Sequence, residues 1–523
     1  MKVTRITASI LVLLILLISP FSATAAGGPP NFVSFPILTH VAEDGLDHGH
    51  FVEGPGESSV PGPLAPNYGA TQFNAAGLSA AAATAGMDQN VSQTPDSYEG
   101  ETSAAAFTNT TTNSTLIVGT SNHIYPGACN ASAPSGTFGD CAVAAFASSN
   151  GGSTWTKTTI SRTWGGTTFG ITFDPAIDYD KSGTFYYSFG GAPLSGSYPN
   201  SIAVSKSTNG TTWSVPMAVT FNRNKAFDDK YYIAVDRSNT SFANRIYVSW
   251  DRNQGNNQLL YISYSTNGGT SWTAPIKVND GTSKFERVIG AYPAVNQSTG
   301  VVFDSWHDYA KNIIFVDKSS NGGISWGADV AAVTTHAGFG TDIGCVGGRS
   351  QGPAHALKVG PSGTLYLVYA DPVTSGTNSR KFDVLLTKST NNGTSWSAPV
   401  VLNNDNTATD QFHPTLSVTG NGSGGDKVTV TWYDRREDPA NCAAQVYGTV
   451  STDNGTTWAA NEKLTSASSN FDGNPNGPGD YSSSTPVGTG LSAAAWPFFS
   501  DHRTSNPQIS TGGGYDLYTS PIQ

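Results

Sequence analysis

The sequence predicts an all-β fold, a β-propeller of four-stranded blades, behind a signal peptide and a low-complexity N-terminal arm. Seven blades are favoured and six are the alternative. Three observations predict it. A turn of the form Ser-x-Asn/Asp-(x)-Gly-x-x-Trp recurs six times. Each copy follows strand-length runs of apolar and β-branched residues. The composition, with 58 Gly, 11 Trp and 21 Tyr but only 12% charged residues, suits turns and pleated surfaces.

The chain opens on Met1, Lys2 and Arg5, followed by an apolar core from Ile10 to Ile18, Pro20 and the small-residue run Ala23-Thr24-Ala25-Ala26. Charged start, apolar core and Ala-x-Ala site, in that order, read as a secretory signal. The apolar core is shorter than the ~20 residues a spanning helix needs. Cleavage is therefore expected near Ala25, leaving no membrane span in the mature chain. Residues 26–88 are rich in Gly, Pro, Ala and Ser and are expected to form an extended or partly disordered arm. Its His40, Asp44, Asp47, His48, His50 and Glu53 read as a solvated linker rather than a metal site, because nothing there fixes ligand geometry. Residues 89–523 are assigned to the propeller. A mature chain of this length exceeds one ordinary core, which favours a repeat architecture.

A net charge of −11 argues against a nucleic-acid partner, which requires a basic face. Four cysteines in an exported chain read as two disulfides. Cys129 and Cys141 are close enough to staple one loop; Cys345 and Cys442 then pair across blades or remain free. No Cys-x-x-Cys or His pair at ligand spacing accompanies them, so neither zinc nor any other cofactor is expected.

The repeated turn runs Ser148 to Trp155, Ser207 to Trp213, Ser265 to Trp272, Ser319 to Trp326, Ser389 to Trp396 and Ser451 to Trp458, its tryptophans 58, 59, 54, 70 and 62 residues apart. Upstream of each lies a short strand, a turn and a longer apolar strand, such as Ala291–Val295 before Val301–Trp306. A third strand enters the repeated turn and a fourth leaves it, which makes one blade. Units start at Glu101, Asp174, Asp229, Ala291, Gly352, Phe412 and Asp480. The last has strands at Tyr481–Val487, Leu491–Trp496 and Tyr515–Thr519 but no repeated turn and no fourth strand. Residues near Gln89 to Gln93 are expected to supply that strand and close the ring, removing both open sheet edges.

The turn resembles the Asp box, or bacterial neuraminidase repeat, of sialidase-like propellers, over roughly residues 95 to 523. Five boxes carry Asn (Asn150, Asn209, Asn267, Asn321, Asn391) and one carries Asp453. Asn accepts from turn amides and tolerates positive φ, so the folding role is retained. The boxes share one end of each blade with the turn between strands one and two. The loops from strand two to three, and from blade to blade, lie at the opposite end, where the resemblance places substrate sites.

That opposite face gathers the charge. Strand-two ends read Trp250-Asp251-Arg252, Trp306-His307-Asp308, Trp432-Tyr433-Asp434-Arg435-Arg436-Glu437 and Asp501-His502-Arg503. The connectors add Arg162, Asp228, Asp229, Lys230, Glu286, Arg287, Arg349, Asp410, His413 and Asp480. Asp-Arg pairs of this kind also brace adjacent blades. The resemblance implies glycoside chemistry with a Tyr nucleophile assisted by Glu, an Asp acid and three Arg on the substrate carboxylate, for which bidentate Arg suits better than Lys. Glu286 and Glu437 are then the base candidates, Tyr433 the nucleophile and Asp308 a further catalytic candidate. Arg252, Arg287, Arg349, Arg436 and Arg503 are the substrate-binding candidates. The family's Phe/Tyr-Arg-Ile/Val-Pro motif is absent; Asn244-Arg245-Ile246-Tyr247 comes nearest but falls in a predicted strand. Asp178-Tyr-Asp180-Lys-Ser182-Gly183 begins like a calcium loop, but its twelfth position is Phe189 where a bidentate Glu belongs, and the repeat demands a turn there.

The expected protein is a secreted monomer acting on, or binding, an extracellular glycan or glycoconjugate. An exo-glycosidase of sialidase type and a non-catalytic scaffold for glycans or proteins are the two readings. A peptidase is disfavoured, since neither Gly-x-Ser-x-Gly nor His-Glu-x-x-His is present.

Overall fold

The repeated turn builds one hydrogen-bonded unit wherever it occurs. The box Ser hydroxyl donates to the Asn or Asp side-chain oxygen (2.9 Å at Ser148–Asn150, 2.8 Å at Ser451–Asp453) and accepts a glycine amide at 2.9 Å from Gly152 or Gly455. The same side-chain oxygen accepts the amide of the residue before the Trp, 3.0 Å at Thr154 and 2.8 Å at Thr457. Closing so tight a loop needs a left-handed residue, and Gly152 and Gly455 supply it at φ 82° and 66°. Asn and Asp both serve because one side-chain oxygen accepts the turn amide, while the second atom donates to the hydroxyl before the Trp in Asn boxes (Asn150 to Thr154, 2.8 Å) and accepts from it at Asp453 (2.6 Å from Thr457).

A computed structural model of the chain describes residues 82–93, 97–124, 141–194, 196–255, 257–281, 286–338, 341, 343–346, 354–372, 381–472, 477–503 and 515–523. The expected signal peptide, the arm up to residue 81, Cys129 and Arg349 lie outside them. Seven antiparallel sheets make seven blades. The first has strands Tyr98–Asn109, Ser114–Ile124, Cys141–Ser148 and Thr156–Thr159. The next five begin with Ile171–Tyr179, Phe227–Val235, the broken strand Val288–Ile289 and Ala294–Val295, His355–Val359 and Gln411–Gly420. Each blade's first strand is innermost, and these strands adjoin one another around the axis to complete the circle. The second strands are buried almost throughout, as in Val302–Asp308 and Asp426–Asp434, because both faces of each sheet meet a neighbouring blade.

The seventh blade consists of Ser483–Val487, Ala494–Asp501 and Asp516–Thr519, completed by Gln89–Asn90 from the other end of the chain. Gln89 opposes Thr519 and Asn90 opposes Tyr518. Beside this strand, Val91 is buried in a cluster with Phe146, Trp496, Phe498 and Leu517, and Asp88 pairs with Arg503 at 2.6 Å. The count of seven and the N-terminal closing strand follow the sequence reading. Its second strand needs correction: it starts at Ala494 and runs to Asp501, because Leu491 falls in a 3-10 turn, Gly490–Ser492.

Cations tie successive blades at the box face. Lys206 donates to the Gly268 carbonyl at 2.9 Å, Arg245 to that of Gly322, Lys318 to that of Asn392 at 2.9 Å and Lys388 to that of Asn454 at 2.7 Å. Arg245, the nearest match to the missing sialidase motif, thus serves the face away from the charged loops. Asp180 spends one carboxylate oxygen on the Ser182 and Thr184 amides, both at 2.9–3.0 Å, and shapes the turn the repeat demands. Cys345 and Cys442 form a disulfide linking segments 97 residues apart, and Cys141 is disulfide-bonded as well.

Candidate functional site at the axial mouth

The inner strands enter at the face opposite the boxes, and four of them break register at the same place. The breaks fall between Gly100 and Ser103, Phe173 and Ala176, Asp229 and Tyr232, and Phe412 and Thr415. Each holds a polar residue at positive φ: Glu101 (54°), Asp174 (53°), Lys230 (45°) and His413 (48°). Left-handed backbone at a residue other than glycine costs energy and concentrates where side chains must be re-aimed.

Three of these residues meet a fourth across the axis. Lys230 Nζ lies 2.5 Å from Asp480, 3.3 Å from Asp174 and 3.7 Å from Glu101, so blades one, two, three and seven contribute one charge each. Asn122 fixes two members, donating to Glu101 Oε2 at 2.5 Å and accepting the Asp174 amide at 2.9 Å. Glu101 and Asp174 are buried, while the Lys230 and Asp480 side chains keep 13% and 10% exposure and form the solvent edge of the cluster. Burial, and then the hydrogen-bonded Glu101 carboxylate, hold the Asp174 carboxyl well above the usual carboxylate range. Burial opposes charge on Lys230, but Asp174, Asp480 and Glu101 outweigh it and raise its pKa. The cluster therefore sets a carboxyl with a raised pKa beside an ammonium that its carboxylate neighbours hold charged.

Tyrosines form the floor. The Tyr232 ring lies 4.5 Å from that of Tyr292 and 5.1 Å from that of Tyr481, joining blades three, four and seven over the axis. The Tyr481 hydroxyl donates to the Pro175 carbonyl at 3.2 Å, adding the second blade. Burial raises the pKa of both Tyr232 and Tyr481, keeping the rings neutral. Between blades four and five lie two neutral histidines. Thr335 donates its hydroxyl to the Ala337 carbonyl, so His307 Nε2, 3.1 Å from the same hydroxyl, is the donor of that pair. Among the described residues His307 Nδ1 has no hydrogen-bond partner, and burial lowers the ring's pKa to about 3. His355 donates to Ser305 at 3.1 Å, and burial lowers its pKa to about 4.

The residues chosen from sequence are placed differently. Tyr433, the nucleophile candidate, is 2% exposed, its hydroxyl donates to the Ser500 carbonyl at 2.6 Å, and burial drives its pKa well up. Glu437 stands at the outer edge of blade six, with Lys463 at 3.1 Å and the Tyr447 hydroxyl at 2.5 Å. Arg436 stacks on the same Tyr447 at 4.2 Å and pairs with Asp434 at 2.7 Å. Glu286 and Asp308 share Lys311, at 3.4 and 2.6 Å. The Arg287 guanidinium donates to the Glu286 carbonyl at 3.2 Å. Arg252 grips Asp228 through two bonds at 2.6 and 2.9 Å, and Arg503 grips Asp501 and Asp88. The structure thus joins Glu286 with Asp308, and Glu437 with Arg436. Each described Arg of the substrate-binding set is held by its own blade, by the closing strand or by the connector from the preceding blade, as Arg436 is by Asn404 at 2.9 Å. These are braces of the kind the Asp-Arg pairs also suggested.

The mouth residues had a sequence signal. Glu101, Asp174 and Asp480 are themselves starts of repeat units, and Lys230 follows the start at Asp229. Register within the repeat, rather than any local motif, marks them.

No protein-family model matches the sequence, and no curated protein matches it. Among solved structures, the chain is similar to a protein of unknown function from Dyadobacter fermentans (12% identity, 85% of this chain, 100% of that one, TM-score 0.44). It is also similar to a Hadza microbial sialidase (14% identity, 72% and 73% covered, TM-score 0.45). A third is an alpha-L-arabinofuranosidase from Fusarium graminearum (12% identity, 67% and 92% covered, TM-score 0.42).

Proposed function

We propose that this exported propeller binds the terminal sugar of an extracellular glycan at its axial mouth and hydrolyses the adjoining glycosidic bond. The observation that carries this reading is the convergence of Asp174, Glu101, Asp480 and Lys230, from four blades, beside the rings of Tyr232, Tyr292 and Tyr481. Aromatic faces suit the apolar faces of sugar rings, and the charged groups suit hydroxyls and a polarised leaving oxygen. Glycoside hydrolysis needs a carboxyl that still carries its proton beside one that does not. Asp174 has the first property, and Asp480, at the solvent edge and paired with Lys230, is suited to the second. Asp174 gives its proton to the departing oxygen as the glycosidic bond breaks; Asp480 takes a proton from the water that forms the new bond. Lys230 pairs with Asp480 and holds it in place.

A non-catalytic glycan-binding scaffold is the second reading. It is favoured by the near-complete burial of Glu101 and Asp174, which leaves little of either carboxyl open to a substrate.

Hydrolysis of a panel of fluorogenic glycosides, with glycan-array binding on the same preparation, separates the two. Catalysis predicts turnover of at least one sugar, reduced on the order of a hundredfold by Asp174→Asn while binding persists. Binding without turnover, lost in Tyr232→Ala, supports the scaffold. Neither binding nor turnover on any sugar overturns both.

A further inference from the structure

The tyrosine floor divides the axis, and the space beneath it has its own chemistry. Immediately past the tyrosines, all seven inner strands line a second chamber with a volume of about 150 Å³. It lies toward the box face, since its wall includes Tyr179, next to the box-face turn at Asp180, and Gln297. The wall residues are mostly small or apolar by type (Ala105, Ile233, Ala294, Val418), but the surface they present to the chamber is mostly polar, and the hydroxyls of Ser417 and Ser484 are hydrogen-bonded to each other at 2.7 Å.

Three charged side chains line it: Asp178, Arg237 and Lys358. Two of them satisfy each other. Arg237 donates to Asp178 Oδ1 and to the Tyr179 carbonyl, both at 2.7 Å, and the other Asp178 oxygen accepts the Val235 amide at 2.8 Å. Lys358 is different. Among the described residues its ammonium has no carboxylate partner and no hydrogen bond; its contact is with the Tyr292 ring, 5.5 Å from the centroid. A partly enclosed ammonium facing only a ring quadrupole and water forgoes the Coulomb attraction that a low-dielectric chamber would strengthen. The inner strands are also sheet edges, so alternate backbone amides turn toward the axis while the others bond to the second strand. The space far exceeds the ~10–15 Å³ that one water needs.

We infer that this chamber is an anion site, in which Lys358 pairs with a small oxyanion, a carboxylate or a phosphate. The site stands on Lys358 and the chamber alone and is independent of the chemistry proposed for the mouth. One positive charge remains after Arg237 and Asp178 are matched, so a monoanion such as a carboxylate or dihydrogen phosphate is balanced there. A cation is disfavoured by the same count.

The test is titration calorimetry and thermal unfolding of the whole chain with inorganic phosphate, and separately with acetate, at constant ionic strength. The expected result is saturable binding at one site per chain, with a melting temperature that rises by several degrees and then levels. Lys358→Met should fold, since it removes an unpaired charge and keeps the stem, and should lose the saturable response. Lys358→Arg should retain it, and so should Lys463→Met on the outer surface. Phosphate binding stronger than acetate points to a phosphoryl ligand, and the reverse to a carboxylate; saturation by one suffices. Absence of saturation with both anions in the wild-type chain, or an undiminished response in Lys358→Met, overturns the inference.

Discussion

His307 makes folding stability depend on pH in a direction that can be calculated. In the folded chain it is 1% exposed, its Nε2 proton is committed to Thr335, and Nδ1 faces no acceptor, so a second proton has nowhere to bond. Its folded pKa is about 3, against ~6.5 for an unfolded histidine. Between those values the unfolded chain binds a proton that the native chain refuses, so stability falls as pH falls from 6.5 toward 3. At pH 7.5 the effect is negligible. At pH 5 the unfolded ring is almost fully protonated and the native ring is not. The loss is about one and a half pH units of linkage, or about 2 kcal/mol. His355, with a folded pKa of about 4, adds in the same direction over the same interval. The assay is equilibrium unfolding in urea at pH 7.5 and pH 5 for the wild type and His307→Gln, which keeps a donor for Thr335 but does not titrate. The wild type should lose about 2 kcal/mol more than the variant between the two pH values. Equal losses would refute the reasoning, whatever the absolute stabilities.

Two further outcomes test the architecture. Val91→Asp places a carboxylate in the apolar cluster beside the closing strand and should cost at least ~3 kcal/mol, lowering the melting temperature by several degrees and exposing the seventh blade to limited proteolysis; an unchanged melt would sink the closure argument. Asn267→Ala removes the acceptor used by Ser265 and by the Thr270 and Ser271 amides and should cost about 1 kcal/mol, whereas Asp453→Asn should change stability by less than about 0.5 kcal/mol at pH 7, both read from denaturant midpoints.

The fold was legible because its signal is local and repeated. Each box states its own turn chemistry, from the Ser and Asn acceptors to the left-handed Gly, so six copies reveal blades without any knowledge of their neighbours. Even the closing strand at Gln89 was legible, as the piece missing from the last unit. The candidate site was not legible in the same way. Arg252, Arg436 and Arg503 drew the eye because they follow tryptophans, yet each is turned onto a carboxylate close by, which only tertiary packing reveals. Lys230 gains its meaning from Asp480, 250 residues away in sequence, and from Glu101 and Asp174, held at positive φ by bulges that no residue pattern announces. Tyr433 shows the opposite case: a tyrosine beside two arginines looks exposed on paper, while the long apolar second strand carries it inside.

The rings of Tyr232, Tyr292 and Tyr481 bear on how two occupants of the axis would sense each other. They stand across the axis between the charged cluster and the chamber lined by Lys358, and Tyr292 borders both, its ring against Tyr232 on one side and the Lys358 ammonium on the other. On the glycan reading, a sugar stacked on this floor and an anion held beneath it would share that one ring, so occupancy of either site is expected to register in the other through Tyr292.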